Sequence, residues 1–197
     1  PPAQIAVSPG KFEVEIGDRS SVQAVRLVNF SERAIDVKVH VVTWDLDELS
    51  RVRIVEPTEQ SLDQWIVLNP RTFRVEAQSE QTVRFAGRPR TQPEPGEHRA
   101  MIYFEEQPRA VLEGQVQVLF KVGVAVYGYS GDIDRRGVLN AVDVASDASV
   151  LSAAFDISNP GNAHVRMIAQ WGIWPAAEFP GETTLAAMPD LGKEGFT

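Results

Sequence analysis

The stretch GQVQVLFKVGVAVYG, Gly114 to Gly128, carries the longest alternation in the chain: Val116, Val118, Phe120, Val122, Val124 and Val126 all fall on one side of an extended backbone. A period of two sustained over that length describes a β-strand with one apolar face. Upstream, GEHRAMIYFEEQP (Gly96 to Pro108) sets five uncharged residues, Ala100 to Phe104, between His98 and Arg99 on one side and Glu105 and Glu106 on the other. A run of that kind reads as a strand covered on both faces, with the charges marking where it leaves its cover. A short loop around Pro108 makes the two stretches a hairpin.

The same alternation recurs toward the N-terminus. Ile35, Val37, Val39 and Val41 oppose Asp36, Lys38 and His40; Phe12, Val14 and Ile16 alternate in KFEVEI; QTVRFAG repeats the pattern. SVQAVRLVNF ends at a polar turn, Asn29 to Arg33, and is expected to pair with the next strand as a hairpin. The match of Asn29-Phe30-Ser31 to a glycosylation sequon reads as part of that turn. PTEQSLDQWIVLNP has room for one or two helical turns, with Thr58 as cap. GRPRTQPEPGE, rich in proline and glycine, must be a loop.

The glycine- and charge-rich GYSGDIDRRG, residues 128–137, reads as a hinge. Beyond it, VLSAAFDISN and HVRMIAQWGIW are expected to pair across the turn Asn159-Pro160-Gly161-Asn162. With no amphipathic helix of ten or more residues in view, the expectation is an all-β protein of two immunoglobulin-like sandwich domains, 1–128 and 129–197. The second is short for such a domain and is expected to lack its last strands.

Composition narrows the function classes. The 197 residues have 43% hydrophobic and 23% charged content, ordinary for a folded protein, and no apolar run near the roughly 20 residues that span a bilayer, so membrane insertion is not expected. There is no cysteine, which removes disulfides, thiolate metal sites and a cysteine nucleophile. The net charge of −8, acidic on both sides of the hinge, argues against a nucleic-acid partner. Catalytic residues are not expected: His40, His98 and His164 stand far apart, and GYSG at Gly128 to Gly131 is one residue short of a nucleophile elbow. Asp132, Asp134, Gly137 and Asp143 fall at positions 1, 3, 6 and 12 of a calcium loop, but Arg136 takes position 5, where an oxygen ligand is required. Neither a metal nor any cofactor is expected.

The order of segments, RLVNFSERAIDVKV, then a Pro-rich loop into GEHRAMIYFEEQP, then a long alternating strand ending in a hinge, resembles the periplasmic pilus-assembly chaperones. The G-E-x-R start places the likeness closer to their archaic (alternate) branch. The resemblance covers residues 4–128 well and 138–175 more loosely. It implies a PapD-like pair of immunoglobulin-like domains and a periplasmic location, with any leader already removed. It further implies a chaperone for fimbrial subunits that acts by donor-strand complementation and delivers them to an outer-membrane usher. Such strand addition draws affinity from main-chain hydrogen bonds and fit from alternate side chains, with no cofactor or ATP.

Carried onto this chain, the resemblance makes residues 114–126 the donor strand, with Val116, Val118 and Phe120 entering the subunit; self-association through the same strand is the further contact such an edge permits. The residue-level alternative is that these side chains face the chaperone's own core. The subunit's terminal carboxylate would be anchored by Lys11, in PGKFEVEIG, and Lys121, in VLFKVGV. Where the better-known branch keeps a buried acidic residue, this chain has Arg99, for which Glu97 or an acidic group of the second domain is the expected ion-pair partner. The other function considered is a structural or adhesive immunoglobulin-like module with no pilin client.

Overall fold

The computed structural model describes residues 5–17, 21–49, 51–110, 116–147, 149–171, 174–187 and 192–196. They divide into two compact units, Pro1–Ile133 and Asp134–Thr197, and the division falls inside the segment read as a hinge.

The first unit is two facing sheets. One has the order β1 (Ile5–Ser8), β3 (Gln23–Asn29), β9 (Ser79–Gly87), β7 (Ile66–Asn69). The other runs β2 (Lys11–Glu15), β11 (Lys121–Ser130), β10 (Gly96–Glu106), β4 (Ile35–Val42), β8 (Thr72–Val75). Alternation decides which side chains meet between them. Val25 and Leu27 of β3, Val83 and Phe85 of β9, Val37 and Val39 of β4, Ala100, Ile102 and Phe104 of β10, and Val124 and Val126 of β11 are all buried in one cluster. At about 25 cal/mol per Å² of apolar surface removed from water, this shared row is the main stabilising term of the unit.

The N-terminal chain serves both sheets. Ile5–Ser8 pairs antiparallel with β3, whereas Lys11–Glu15 pairs parallel with β11. Pro9 and Gly10 stand between the two: proline has no N–H to continue a ladder, so the strand is released from one sheet and taken up by the other. Gly128 makes this packing possible, since a Cβ there would overlap Ile16 and Leu62.

Three local expectations are corrected. The segments around Asn29 to Arg33 do not form a hairpin, because β3 pairs with β1 and β9 while β4 pairs with β10 and β8. The turn instead carries the chain from one sheet to the other, so the apolar faces of β3 and β4 meet across the core. Asn29 organises that crossing from a fully buried position: its Nδ2 donates to the carbonyls of Arg33 (2.8 Å) and Glu76 (3.0 Å), and its Oδ1 accepts from the Ser31 backbone N–H (3.0 Å). A buried amide so engaged is a structural element and not a glycan acceptor. Thr58 does not cap the helix either. It closes a turn with Ser61, and the single helical turn α1 (Leu62–Trp65) starts after Ser61. In the second unit, β12 (Val138–Ser146) pairs with β13 (Leu151–Ser158), and β14 (Met167–Trp171) pairs with β15 (Gly192–Phe196). The two segments expected to pair across Asn159–Asn162 are therefore in separate hairpins. The polar turn is used otherwise: Asn162 accepts from the Asp134 N–H through Oδ1 (2.8 Å) and donates its own N–H to the Asp134 carbonyl (3.0 Å).

The β12–β13 hairpin has an apolar side, Leu139, Val142 and Val144 beside Ala153 and Ile157, and every residue of β12 is solvent-exposed. Helix is confined to α1, a 3-10 turn at Ala176–Glu178 and α2 (Glu182–Ala186) among the described residues. In the former calcium-loop segment, Arg136 pairs with Asp134 at 3.1 Å, so the residue that breaks the ligand pattern also neutralises one of its carboxylates.

Candidate functional site

On one side β11 is fully paired with β10, from Gly96 opposite Ser130 to Glu105 opposite Lys121. On the other side β2 covers only Ala125 to Tyr129. The stretch Lys121 to Val124 therefore has one unpaired edge among the described residues, a direct result of the Pro9-Gly10 crossing that starts β2 at Lys11. Open edges of this kind are templates for strand addition.

The expected strand of residues 114–126 is shorter than its alternation suggests. β11 begins at Lys121, residues 116–120 are irregular, and Gly114 and Gln115 lie outside the described residues. The single apolar row divides accordingly. Val124 and Val126 are buried and Phe120 packs against the core, but Val116 is 91% and Val118 83% exposed. The Glu106 N–H donates to the Phe120 carbonyl at 3.0 Å, which ties the end of the irregular segment to β10.

Beneath this point the sandwich is not closed. A cavity of about 310 Å³ lies between β1 and the open half of β11, lined by Ile5, Ile35, Phe120 and Val122, with Arg33 and Glu106 at its polar end. Glu106 continues the inward row of Ala100, Ile102 and Phe104, so a carboxylate occupies a core-facing position and is only 4% exposed. Arg33, on the crossing turn, meets it at 2.7 Å. A buried carboxylate is tolerated only with such a partner. The sequence reading of Glu106 as a charge marking where the strand leaves its cover is thus corrected: it is buried at the end of β10, as its parity with Ala100 and Phe104 signals. Arg33 entered that reading only as the end of a polar turn.

Lys11 and Lys121 stand on one face. Lys11 is in register with Ala125, which points outward with Lys121, so the lysines share the outer face of the five-stranded sheet. They are offset by the step from 121 to 125, about 13 Å along the strands. Each has a local contact: Lys11 Nζ donates to Glu13 at 2.7 Å, and Lys121 Nζ lies 4.5 Å from the centre of the Tyr103 ring. Gly123 leaves the space between them that Met101 and Tyr103 lean into, since a Cβ there would fall 2.8 Å from Met101 Sδ.

His40, stacked near Tyr103, completes this face. Its Nδ1 is 3.7 Å from a Glu105 oxygen, too long for a hydrogen bond. Burial first, then the charge of Lys121, hold its pKa below the usual 6.5, against an opposing pull from Glu105. The fold thus favours the neutral ring, and this contribution to stability is complete above about pH 6.5 and is lost as pH falls through the lowered folded value. In urea titrations, wild type is expected to lose stability relative to His40→Gln between pH 7.5 and pH 5. A constant difference across that range would contradict the assignment.

Glu97 and Arg99 are joined. Arg99 Nε donates to Glu97 Oε1 at 2.6 Å, and a second guanidinium nitrogen donates to Asp45 Oδ1 at 2.7 Å. Arg99 also lies over the Trp44 ring, 5.5 Å from its centre. Asp45 and Trp44 belong to β5 (Trp44–Leu46), which forms a small hairpin with β6 (Val52–Ile54), so Arg99 fastens that hairpin to the main sheet. Both acidic partners lie within the first unit.

No protein-family model and no curated protein sequence matches the chain. Solved structures do match. A chain of the chaperone–tip adhesin complex of CFA/I fimbriae biogenesis is 13% identical, with 98% of this chain and 80% of that one covered at a TM-score of 0.57. The class 5 fimbriae chaperone CfaA is 14% identical, with 98% and 79% covered and a TM-score of 0.56. The CsuC–CsuE chaperone–tip adhesion subunit pre-assembly complex, from archaic chaperone-usher Csu pili of Acinetobacter baumannii, gives 14% identity, 85% and 80% coverage and a TM-score of 0.52. At these identities the likeness is one of fold. The chain has the two-unit, all-β PapD-like fold of fimbrial chaperones, and the archaic Csu system is among its structural neighbours.

Proposed function

We propose that this protein is a periplasmic chaperone that holds fimbrial subunits by strand addition and passes them to an outer-membrane usher. The observation that carries the reading is the half-open edge of β11 at Lys121–Val124, continued by exposed Val116 and Val118. A subunit lacking a strand would pair its backbone with this edge and receive Val116 and Val118 in its own groove. Main-chain hydrogen bonds then provide affinity and the alternate valines provide fit. Phe120, packed against the chaperone core, fixes where the lent segment begins instead of entering the subunit deeply. The fold shared with CfaA supports the reading, and the chemistry needs neither a cofactor nor catalysis.

Lys11 and Lys121 are the proposed anchors for the subunit's terminal carboxylate. They lie on one face of adjacent strands, and their present partners are weak: an exposed i,i+2 ion pair and a cation–π contact, each worth about 1 kcal/mol or less. A carboxylate held between two ammonium groups offsets the loss of both. Replacing both lysines with Ala is expected to lower recovery of a chaperone–subunit complex in co-expression by about tenfold or more. The free chain should melt unchanged, because Lys11 is half exposed and Lys121 exposed. Undiminished recovery of the complex would remove the anchor assignment.

A further inference from the structure

We infer that the chaperone also receives: the cavity between β1 and β11 takes one apolar side chain from the strand that the captured subunit adds to the β11 edge. The inference rests on the strand-addition reading and specifies how that strand is recognised. An added strand lies about 4.8 Å from its neighbour, with side chains alternating between the two faces of the sheet. Along the open half of β11, Lys121 and Gly123 point outward, while Val122 and Val124 point toward the opposite sheet. The residue of an added strand level with Val122 therefore points inward as well. That position opens on the cavity bounded by Ile5 of β1, Ile35, Phe120 and Val122.

The walls select the chemistry of that side chain. Six aliphatic or aromatic residues line the space, Ile5, Ile35, Phe120 and Val122 together with Val118 and Leu119 of the segment proposed to be lent. Its polar end is satisfied internally: Arg33 holds Glu106 at 2.7 Å, while Ser31 Oγ donates to Asn29 Oδ1 at 2.6 Å. An apolar side chain entering the cavity gains contact and leaves no polar group unpaired. A charged or amide side chain would lose its water without finding a partner. At about 310 Å³ the cavity has room for one large apolar side chain, so it discriminates by size and polarity at a single position of the partner strand. Register follows as a consequence, because a one-residue slip would aim a side chain of the opposite face at the cavity.

The test uses the intact chain co-expressed with a fimbrial subunit. The sequence contains no cysteine, so Ile5→Cys introduces a unique thiol in the cavity wall. Its alkylation by iodoacetamide should be at least about tenfold slower in the purified complex than in the free chain, the ratio expected where an occupant must leave at a cost of about 1.4 kcal/mol. Val122→Phe, which fills the cavity from β11, should lower complex recovery by about tenfold. If Val122→Phe fails to fold, the Ile5→Cys arm decides the matter. An unchanged alkylation rate in a stoichiometric complex overturns the inference and leaves the strand-addition reading standing. Protection that appears in the free chain as its concentration rises assigns the cavity to a second copy, which also overturns it. If the wild-type chain captures no subunit, the strand-addition reading falls, and this inference falls with it.

Discussion

Val118→Asp is expected to reduce recovery of a chaperone–subunit complex by about a hundredfold or more while leaving the unfolding midpoint of the free chain in place. The free chain has little to lose, since Val118 is 83% exposed and surface changes of that kind stay within about 0.5 kcal/mol. In the proposed complex the same side chain lies in the subunit's groove, where an unpaired carboxylate costs several kcal/mol. Each 1.4 kcal/mol is a factor of ten in the binding constant, so even a partly relaxed complex loses about two orders of magnitude. Val116→Asp should act in the same direction from its 91% exposed position. Pull-down after co-expression, read beside circular dichroism of the free variants, checks both. A Val118→Asp chain that captures normally would show that the exposed valines are not the lent side chains.

Arg33→Met is expected to have the largest effect on stability. It leaves the Glu106 carboxylate, only 4% exposed in the wild type, with no cation beside it. Removing one partner of a buried pair costs about 3–5 kcal/mol, and the partial exposure of Arg33 places this case near the lower end, about 3 kcal/mol. The double variant Arg33→Met/Glu106→Leu should recover most of that loss, because it removes the charge together with its partner. Urea unfolding of the two variants gives the comparison. Equal destabilisation by the single and double changes would mean that the pair is not coupled. The point matters for function because the backbone of Glu106 holds Phe120, the residue from which the exposed segment departs.

Much of the first unit was legible in the sequence because alternation states directly which side chains share a face. Ile35, Val37 and Val39 and the row Ala100, Ile102, Phe104 are buried as their parity requires. Parity does not state which strand lies beside which. SVQAVRLVNF and AIDVKVHVV read equally well as a hairpin or as two strands facing one another across a core, and the buried Asn29 amide turns the chain toward the second arrangement. The same limit applies to β13, whose partner is β12 and not the segment that follows it.

The candidate site was legible in composition and not in geometry. Val116, Val118, Val124 and Val126 have the same residue type and the same parity, yet two are exposed and two are buried. The difference lies in the neighbours, because the sandwich covers β11 only from the point where the strand begins. Lys11 and Lys121 come to one face through the parallel pairing of β2 with β11, a long-range register that local spacing does not encode. Glu106 carried a readable signal as a charge on an inward row, but its partner sits on a turn far away in sequence. Arg99 had two candidate classes of partner, and the geometry joins it to Glu97 and Asp45.

Hydrogen exchange across the β11 edge tests the central claim most directly. With a fimbrial subunit bound, those backbone amides between residues 116 and 124 that do not already bond to β10 should exchange at least about a hundredfold more slowly than in the free chain, as exposed groups enter a ladder. Amides of Ala125 to Tyr129, already flanked by β2 and β10, should change little. A stable complex that leaves residues 116–124 exchanging at their free rate, with protection elsewhere on the chain, would contradict strand addition at this edge.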